Sequence, residues 1–440
     1  MQILLIGSGA REHAIAKAIV RSKDTKLLSY MGANNPGIIK LSSEWTVGDI
    51  CHVEQVVKWA KEYSAELAVV GPEAPLNAGI VDSLLQAGIP CAGPTKDAAM
   101  IECDKSFSRN LMKKHGIPGC PKFGVFSDAD EASAFIGSLV EVVVKPAGLT
   151  GGKGVKIMGP HLKDKGEAKA YASEVLDANI GALGSVVIEE KLIGQEFTLQ
   201  AFVDGERVVP MPAVQDHKLA FEGDKGPNTG GMGSYSDAGL LPFITQNDYE
   251  QGIEIMKKTV DALASEGRPY KGFLYGQFIA GKKGIHVIEF NARLGDPEAM
   301  NVLSLLKTDF AMVLSQMANG NLASAEFSKK ATVCKYLVPE GYPSNPKRNE
   351  QIQVDEESIN SLGAEFFYAS VDKRGKNLFE LGSRTVAVLG IADSISEAEG
   401  IAEKATSFVT GPLFHRKDIG TSALVQKRID HMRELRADKC

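Results

Sequence analysis

The sequence predicts an α/β protein that opens with a doubly wound parallel sheet and closes with a smaller α+β block. QILLIG, KLLSYMG, LAVVG and IPCAG are short apolar runs in the first hundred residues. Helical or loop-like sequence separates them, as with the periodic VEQVVKWAKEYSA. That alternation marks strands laid parallel with helices on both faces. From Lys330 the pattern changes: VCKYLVPEGYP, strands near 365–369 and 385–390, then a helix over 395–409. At 440 residues the chain is too long for one core, so two to four domains are expected.

Composition narrows the function. The chain is 44% apolar and 24% charged, as in ordinary soluble proteins. A formal net charge of -6 argues against nucleic acid and against an anionic membrane surface as partners. No apolar run approaches the roughly 18 residues of a membrane span. The opening MQILLIGSGAREH lacks a basic leader and reads as a first strand, not a signal peptide. Six cysteines, at 51, 91, 103, 120, 334 and 440, form no CxxC pair. They fit reduced thiols in a cytoplasm and offer no zinc site.

Taken in order, the turn Gly7-Ser8-Gly9-Ala10-Arg11-Glu12-His13 lies where parallel sheets bind phosphate at a helix N-terminus. Glu12 replaces the third glycine of a dinucleotide fingerprint, and the second strand ends without an acid for a ribose hydroxyl. A nicotinamide oxidoreductase is disfavoured; a loop for one phosphate or small polar substrate, or a purely structural turn, remains. Gly71-Pro72-Glu73-Ala74-Pro75 lies at the same sheet edge. DKSFSRNLMKKHGIP reads as a helix capped by Asp104 and closed at Gly116. Lys105 in its first turn opposes the helix dipole, so it is either simply exposed or meets an anion there.

The strongest phosphate signal is EVVVKPAGLTGGKGVKIM, residues 141–158. A strand carrying Lys145 enters a loop with Gly148, Gly151, Gly152, Lys153 and Gly154, then a second strand. Glycines let backbone N–H groups approach a ligand and let the loop close over it. It is not a Walker A loop, because GxxxxGK[ST] fails and a strand follows. VVIEE and EFTLQAFV are strands around KLIGQ; GPNTGGMG is a glycine-dense loop, and QDHK precedes it. FLYGQFIAG leads through Lys282-Lys283-Gly284 into IHVIEFNARLGDP. A three-residue hairpin loop sets Gln277 opposite Glu289. Glu289, Asn291 and Arg293 share one face of that strand, a carboxylate and an amide oxygen of the kind Mg²⁺ uses. The plainer alternative is an edge strand facing water. The chain beyond Leu303 reads as helix to about Asn319.

Together these stretches resemble the ATP-grasp ligases, and among them the phosphoribosylamine–glycine ligases (glycinamide ribonucleotide synthetases). GSGAREH, GPEAPL, VVVKPAGLTGGKGV, VIEE-L-GQEFT, QDHK, GPNTGGMG, VIEFNARLGDPE and GPLFHRKDIG carry the likeness along the whole chain. AGLTGGKG and CKYLVPEGYP depart from the bacterial wording, the second with an archaeal flavour. The resemblance implies an N-terminal domain over 1–103, an ATP-grasp unit over 104–327 with a mobile lid over 119–192, and a C-terminal α+β domain over 328–440. It implies ligation of glycine to 5-phosphoribosylamine with ATP and Mg²⁺ or Mn²⁺, through glycyl phosphate, in de novo purine (IMP) biosynthesis by a monomer or homodimer. Glu289 and Asn291, with Gln277, would hold the metal. Lys105 and Lys145 would lie along the phosphates, and the loop with Gly151, Gly152 and Lys153 would cover them. Glu189, Glu190, Leu192 and Glu196 would surround adenosine. Arg293 would hold the glycine carboxylate, with Lys145 and Lys153 also catalytic. Asp216, Lys218 and Asp296 would serve the amine substrate. Its ribose 5-phosphate would meet either the Gly7, Gly9 and Glu12 turn or Asn228, Thr229, Gly230 and Gly231. A different ATP-grasp ligase, such as a carboxylase, and a non-catalytic nucleotide sensor are the competing readings.

Overall fold

A computed structural model describes residues 1–151 and 154–437. The first sheet has five strands in the order Glu44–Val47, Lys26–Met31, Gln2–Ile6, Leu67–Val70 and Cys91–Ala92, and every pairing is parallel. Four of these match the apolar runs. The fifth, EWTV, is an edge strand with no buried residue, so no apolar run announces it. Buried strand residues such as Ile3, Leu4 and Val69 pack against Ala14, Ile15 and Ile19 of the Ala10–Val20 helix and against Ile80 and Leu84. Such two-sided cover explains why these strands read as unbroken apolar runs.

Two antiparallel sheets follow. One orders Phe123–Phe126, Val186–Glu190, Val142–Pro146 and Lys156–Ile157. Helices Ala129–Ser138 and Lys165–Asp177 cover it, and Ala132, Ile136, Val144, Tyr171 and Ile188 give it a core of its own. The other orders Val208–Pro210, Gln195–Asp204, Lys271–Gly281 and Gly284–Asn291 and shares the main core with the first sheet. Residues 191–194 alone join the two sheets here, between consecutive strands.

The last sheet orders Gln215–Asp216, Gly233–Ser236, Ala331–Pro339, Val386–Ala392 and Glu365–Tyr368, with Leu413–Phe414 paired to the middle strand. Its first two strands come from the middle of the chain, so the glycine-dense loop between them is anchored in the closing block. The helix expected from Leu303 to Asn319 is two helices, Glu298–Leu305 and Phe310–Asn319, because Asp309 caps the second through the Met312 N–H at 2.9 Å. The helix expected over 395–409 ends at Thr406. A final helix, Ser422–Arg436, turns back on the middle of the chain, where Arg436 grips Asp248 at 2.8 and 2.9 Å. Among the described residues no helix is long and apolar enough to cross a membrane.

At Gly194, in the link between the two antiparallel sheets, a Cβ would overlap the Ala280 carbonyl oxygen. Backbone cannot yield there as a flexible side chain can. Gly194→Ala should therefore destabilise the fold by about 1–3 kcal/mol, read as a lower midpoint in urea unfolding.

Candidate active site

A cleft of about 710 Å³ runs between the two antiparallel sheets and is closed by the first and last sheets. Its floor is the hairpin Lys271–Gly281/Gly284–Asn291. The loop is two residues, Lys282-Lys283, since Gly281 pairs Gly284; the three-residue loop expected from sequence does not form. Gln277 still faces Glu289, because an irregularity at Ile288 inserts one residue and restores the register. The bulge has a use. It leaves the Val287 and Ile288 carbonyls to accept from Arg109 Nη2 at 3.0 and 2.7 Å, and Ile288 also accepts from Lys145 Nζ at 3.0 Å.

Those two cations meet one acid. Arg109 donates to both Glu189 oxygens at 2.7 and 3.1 Å, and Lys145 Nζ stands 2.8 Å from Glu189 Oε2. Burial pushes the Glu189 carboxyl up, but Arg109 and Lys145 outweigh it and hold the group down to about 2. Burial also lowers the Lys145 ammonium against the pull of Glu189. Glu189 is thus the counter-ion of Arg109 and Lys145, and it lines the cleft with its Oε1 accepting from Arg109 Nε alone. Arg109, unnoticed in the sequence, lies one turn beyond Lys105, a spacing that puts both on one helix face. Asp104 caps that helix through the Ser106 and Phe107 N–H groups at 2.8 and 3.1 Å. Lys105 donates from its backbone to Ala147 and from Nζ to Gly148, at 2.8 and 3.0 Å, so it meets carbonyls that open the glycine-rich loop. Leu149, Thr150 and Gly151 line the roof. Gly152 and Lys153 lie outside the described residues.

Glu289 accepts no hydrogen bond among the described residues. Burial raises its carboxyl, yet Lys218, Lys105, Lys145 and Arg293 together bring it below the usual range. Asn291 Oδ1 on the same strand face accepts from Arg293 Nη2 at 3.2 Å. Gln277 is more committed: its Oε1 accepts from Lys218 Nζ at 2.6 Å and its Nε2 donates to Glu196 Oε2 at 2.7 Å. Among the described residues no three His, Cys, Asp or Glu side chains cluster as a metal cage. One unpartnered carboxylate and one amide oxygen, with four cations acting on that carboxylate, do not suit an ion held by protein alone. They suit a hard divalent ion that shares its coordination sphere with phosphate oxygens and water.

Arg293 is the hub of the next segment. Its Nε lies 3.4 Å from Glu73 and its Nη2 3.2 Å from Glu102, both from the N-terminal part of the chain. Burial raises the Glu102 carboxyl to about 7 despite Arg293, while Glu102 also accepts from the Ala292 N–H at 2.7 Å. Sequence reading missed Glu102; it put Glu73 at the sheet edge in reach of the same ligand, and Glu73 lines the cleft. The Gly7–Gly9 turn contributes nothing to the cleft. The Glu12 carboxylate folds back onto the Gly9 N–H and Arg11 Nε, each at 2.5 Å, and Gly7 N–H is spent on Tyr30. Only Arg11 of that motif lines the cleft, donating to the Leu294 carbonyl at 3.3 Å.

Asp216, Lys218, Asn228, Thr229, Gly230 and Asp296 line the far end. Burial and the nearby Glu298 push the Asp216 carboxyl well above the carboxylate range. Beside it His217 is held neutral, lowered to about 3 by burial and by Arg428 and Arg416. Of the expected residues, Gly7, Gly9, Glu12, Glu190, Leu192 and Gly231 do not line the cleft; Glu190 instead ties the Lys122 backbone. Gly194, Gln195 and Glu196 take that stretch's place.

The lowered Glu189 carboxyl has a sign. Its contribution to stability is complete above the unfolded value near 4.5 and is lost as pH falls towards about 2. Acid titration of unfolding should show that loss in the wild type and not in Glu189→Gln. At pH 7 the same variant should be less stable by about 3–5 kcal/mol, because two buried cations lose their counter-ion.

Three family descriptions cover the chain: phosphoribosylglycinamide synthetase N domain over 1–102, ATP-grasp (A) domain over 103–299 and C domain over 332–422. The chain is 54% identical over 442 residues to a phosphoribosylamine–glycine ligase of Methanosarcina barkeri, covering 99% of this chain and 100% of that one. It is 52% identical to the Methanobrevibacter smithii enzyme of the same name, again over 99% and 100%. A crystal structure of phosphoribosylamine–glycine ligase from Thermotoga maritima superposes with TM-score 0.82 at 28% identity, over 95% of this chain and 100% of that one. At 17% identity, a biotin carboxylase domain of a Hydrogenobacter thermophilus 2-oxoglutarate carboxylase shares the fold, with TM-score 0.70 over 98% and 93%. With all three of its domains matched in order, the chain belongs to the phosphoribosylglycinamide synthetase family.

Proposed function

We propose that this chain ligates glycine to 5-phosphoribosylamine, consuming ATP and releasing glycinamide ribonucleotide, ADP and phosphate in purine biosynthesis. One observation carries it: four cations converge on the unpartnered Glu289 carboxylate, beside an arginine held between two acids. A carboxylate does not acylate an amine, because its leaving group would be oxide. Transfer of the ATP γ-phosphoryl group to glycine gives glycyl phosphate, whose carbonyl carbon the sugar amine attacks and from which phosphate departs. Such a route needs positioning and charge neutralisation and no side-chain nucleophile.

Lys105 and Lys145 lie along the phosphates, with Arg109 fixing Lys145 through Glu189. Glu289 and Asn291 would hold Mg²⁺ or Mn²⁺, which would supply neutralisation of phosphate charge; Gln277 stands beside them with its oxygen on Lys218. Glu196 faces the nucleotide ribose and the 191–194 link borders the base. The long Arg293 bonds to Glu73 and Glu102 are weak enough to yield to the planar glycine carboxylate, which a guanidinium fork matches. For the ribose 5-phosphate the choice falls on Asn228, Thr229 and Gly230, which line the cleft, whereas the Gly7–Gly9 turn does not and its Gly7 and Gly9 N–H groups are taken by Tyr30 and Glu12. We place the boundaries of the three units at 103/104 and 327/328, with the separately cored segment 119–192 as the lid over ATP.

Glycine labelled with ¹⁸O in its carboxylate should pass one label into phosphate, detected by mass spectrometry, and only when ATP, Mg²⁺ and the amine are all present. Unlabelled phosphate excludes the acyl phosphate; turnover with bicarbonate in place of glycine makes the chain a carboxylase. Glu289→Ala should keep the wild-type melting curve and lower kcat by about 10²–10³-fold, since the lost interaction acts on transition-state charge. A near-normal rate removes Glu289 from the metal site.

A further inference from the structure

Arg384 comes from the closing block, two residues before the Val386–Ala392 strand, yet its side chain lines the cleft. Its Nη1 donates to the carbonyls of Gly230 at 2.6 Å and Asp296 at 2.7 Å, and more distantly to Gly231 at 3.3 Å. Its Nη2 pairs with Asp296 Oδ2 at 3.1 Å. The guanidinium lies 4.7 Å from the Tyr336 ring centre, and the Tyr336 hydroxyl donates to Asp296 Oδ1 at 2.6 Å. So engaged, Arg384 has no fork left for substrate, and none of the steps above uses it.

Its partners are what matter. They belong to two separate loops, the glycine-dense loop and the turn after Arg293, and both face the same end of the cleft. At Gly230 a Cβ would stand 3.0 Å from the guanidinium; at Gly231, with φ +114°, it would stand 2.6 Å from Asp216 Oδ1 and 2.7 Å from Pro297 Cδ. The loop is therefore thinned to bare backbone where it passes between Arg384 on one side and Asp216 on the other. Internal bonds hold its shape, with Thr229 donating to the Lys218 carbonyl at 2.8 Å and accepting from the Gly231 N–H at 3.0 Å. Arg384 supplies the outer anchor from more than 150 residues away.

We propose that Arg384 is a positioning residue for the amine substrate: through the Gly230 and Asp296 carbonyls it sets the 228–231 loop against Asp216. It rests on the assignment of Asn228, Thr229 and Gly230 to that substrate. The closing block thus controls affinity for one reactant of three, without touching it.

Initial rates of full-length wild type, Arg384→Ala and Arg384→Lys, with each substrate varied in turn, test this. In Arg384→Ala the KM for phosphoribosylamine should rise about tenfold or more, the scale of one lost charge-assisted hydrogen bond. The KM values for ATP and glycine and kcat should stay within about threefold. Arg384→Lys should recover part of the loss, since an ammonium keeps the Asp296 pair and not three carbonyls. If Arg384→Ala fails to fold, Arg384→Gln, which keeps an amide donor and loses the guanidinium charge, should give the same selective rise. An unchanged amine KM in an active enzyme, or all three KM values rising together, overturns this inference alone. A wild type that makes no product overturns the ligase assignment and this inference with it.

Discussion

One carboxylate under the pull of four cations, with no hydrogen-bond donor of its own among the described residues, is the constraint behind this cleft. Lys105, Lys145, Lys218 and Arg293 all act on Glu289, which lies below its usual range in spite of burial. Arg109 and Lys145 have Glu189 for themselves. Where acids do balance cations, the geometry is tight, with bonds of 2.7–3.1 Å around Glu189. Around Glu289 there is no such closure, and in the function proposed above a polyphosphate with its divalent ion would supply what is missing.

That arrangement rests on backbone irregularity as much as on side chains. A regular hairpin with a two-residue loop would pair Gln277 with Ile288 and send Glu289 to the other face. The extra residue at Ile288 prevents this and frees two carbonyls, which hold Arg109 and Lys145 in place. One inserted residue thus sets both the Glu289 carboxylate and the cations opposite it.

Period and punctuation made much of this legible. Apolar runs buried on both faces showed four strands of the first sheet, and the Asp104 cap and Gly116 stop showed the helix with Lys105. The Gln277–Glu289 pair was reached through a loop length that does not occur, two differences cancelling. What stayed hidden has physical reasons. The EWTV strand buries nothing, so its residues carry no apolar signature. Glu102 reads as an ordinary helical acid until the fold places it on Arg293. Glu12 looked like a lost glycine in a ligand loop; it is a buried side chain that takes the Gly9 N–H for itself. Arg384 has no local pattern at all, because its partners are 88 and about 150 residues away in sequence.

The shared last sheet carries a consequence for how the molecule comes into being. Strand Gly233–Ser236, which carries Gln215–Asp216 on one side, finds its other neighbour only when Ala331–Pro339 has left the ribosome, and the arginine that anchors the loop between them emerges later still. A nascent chain of some 300 residues already carries the complete nucleotide floor, with the Glu289 strand made and its hairpin closed. The sheet that anchors the 228–231 loop waits for the closing block. Vectorial synthesis therefore completes the Glu289 hairpin before the far end of the cleft can take its final shape.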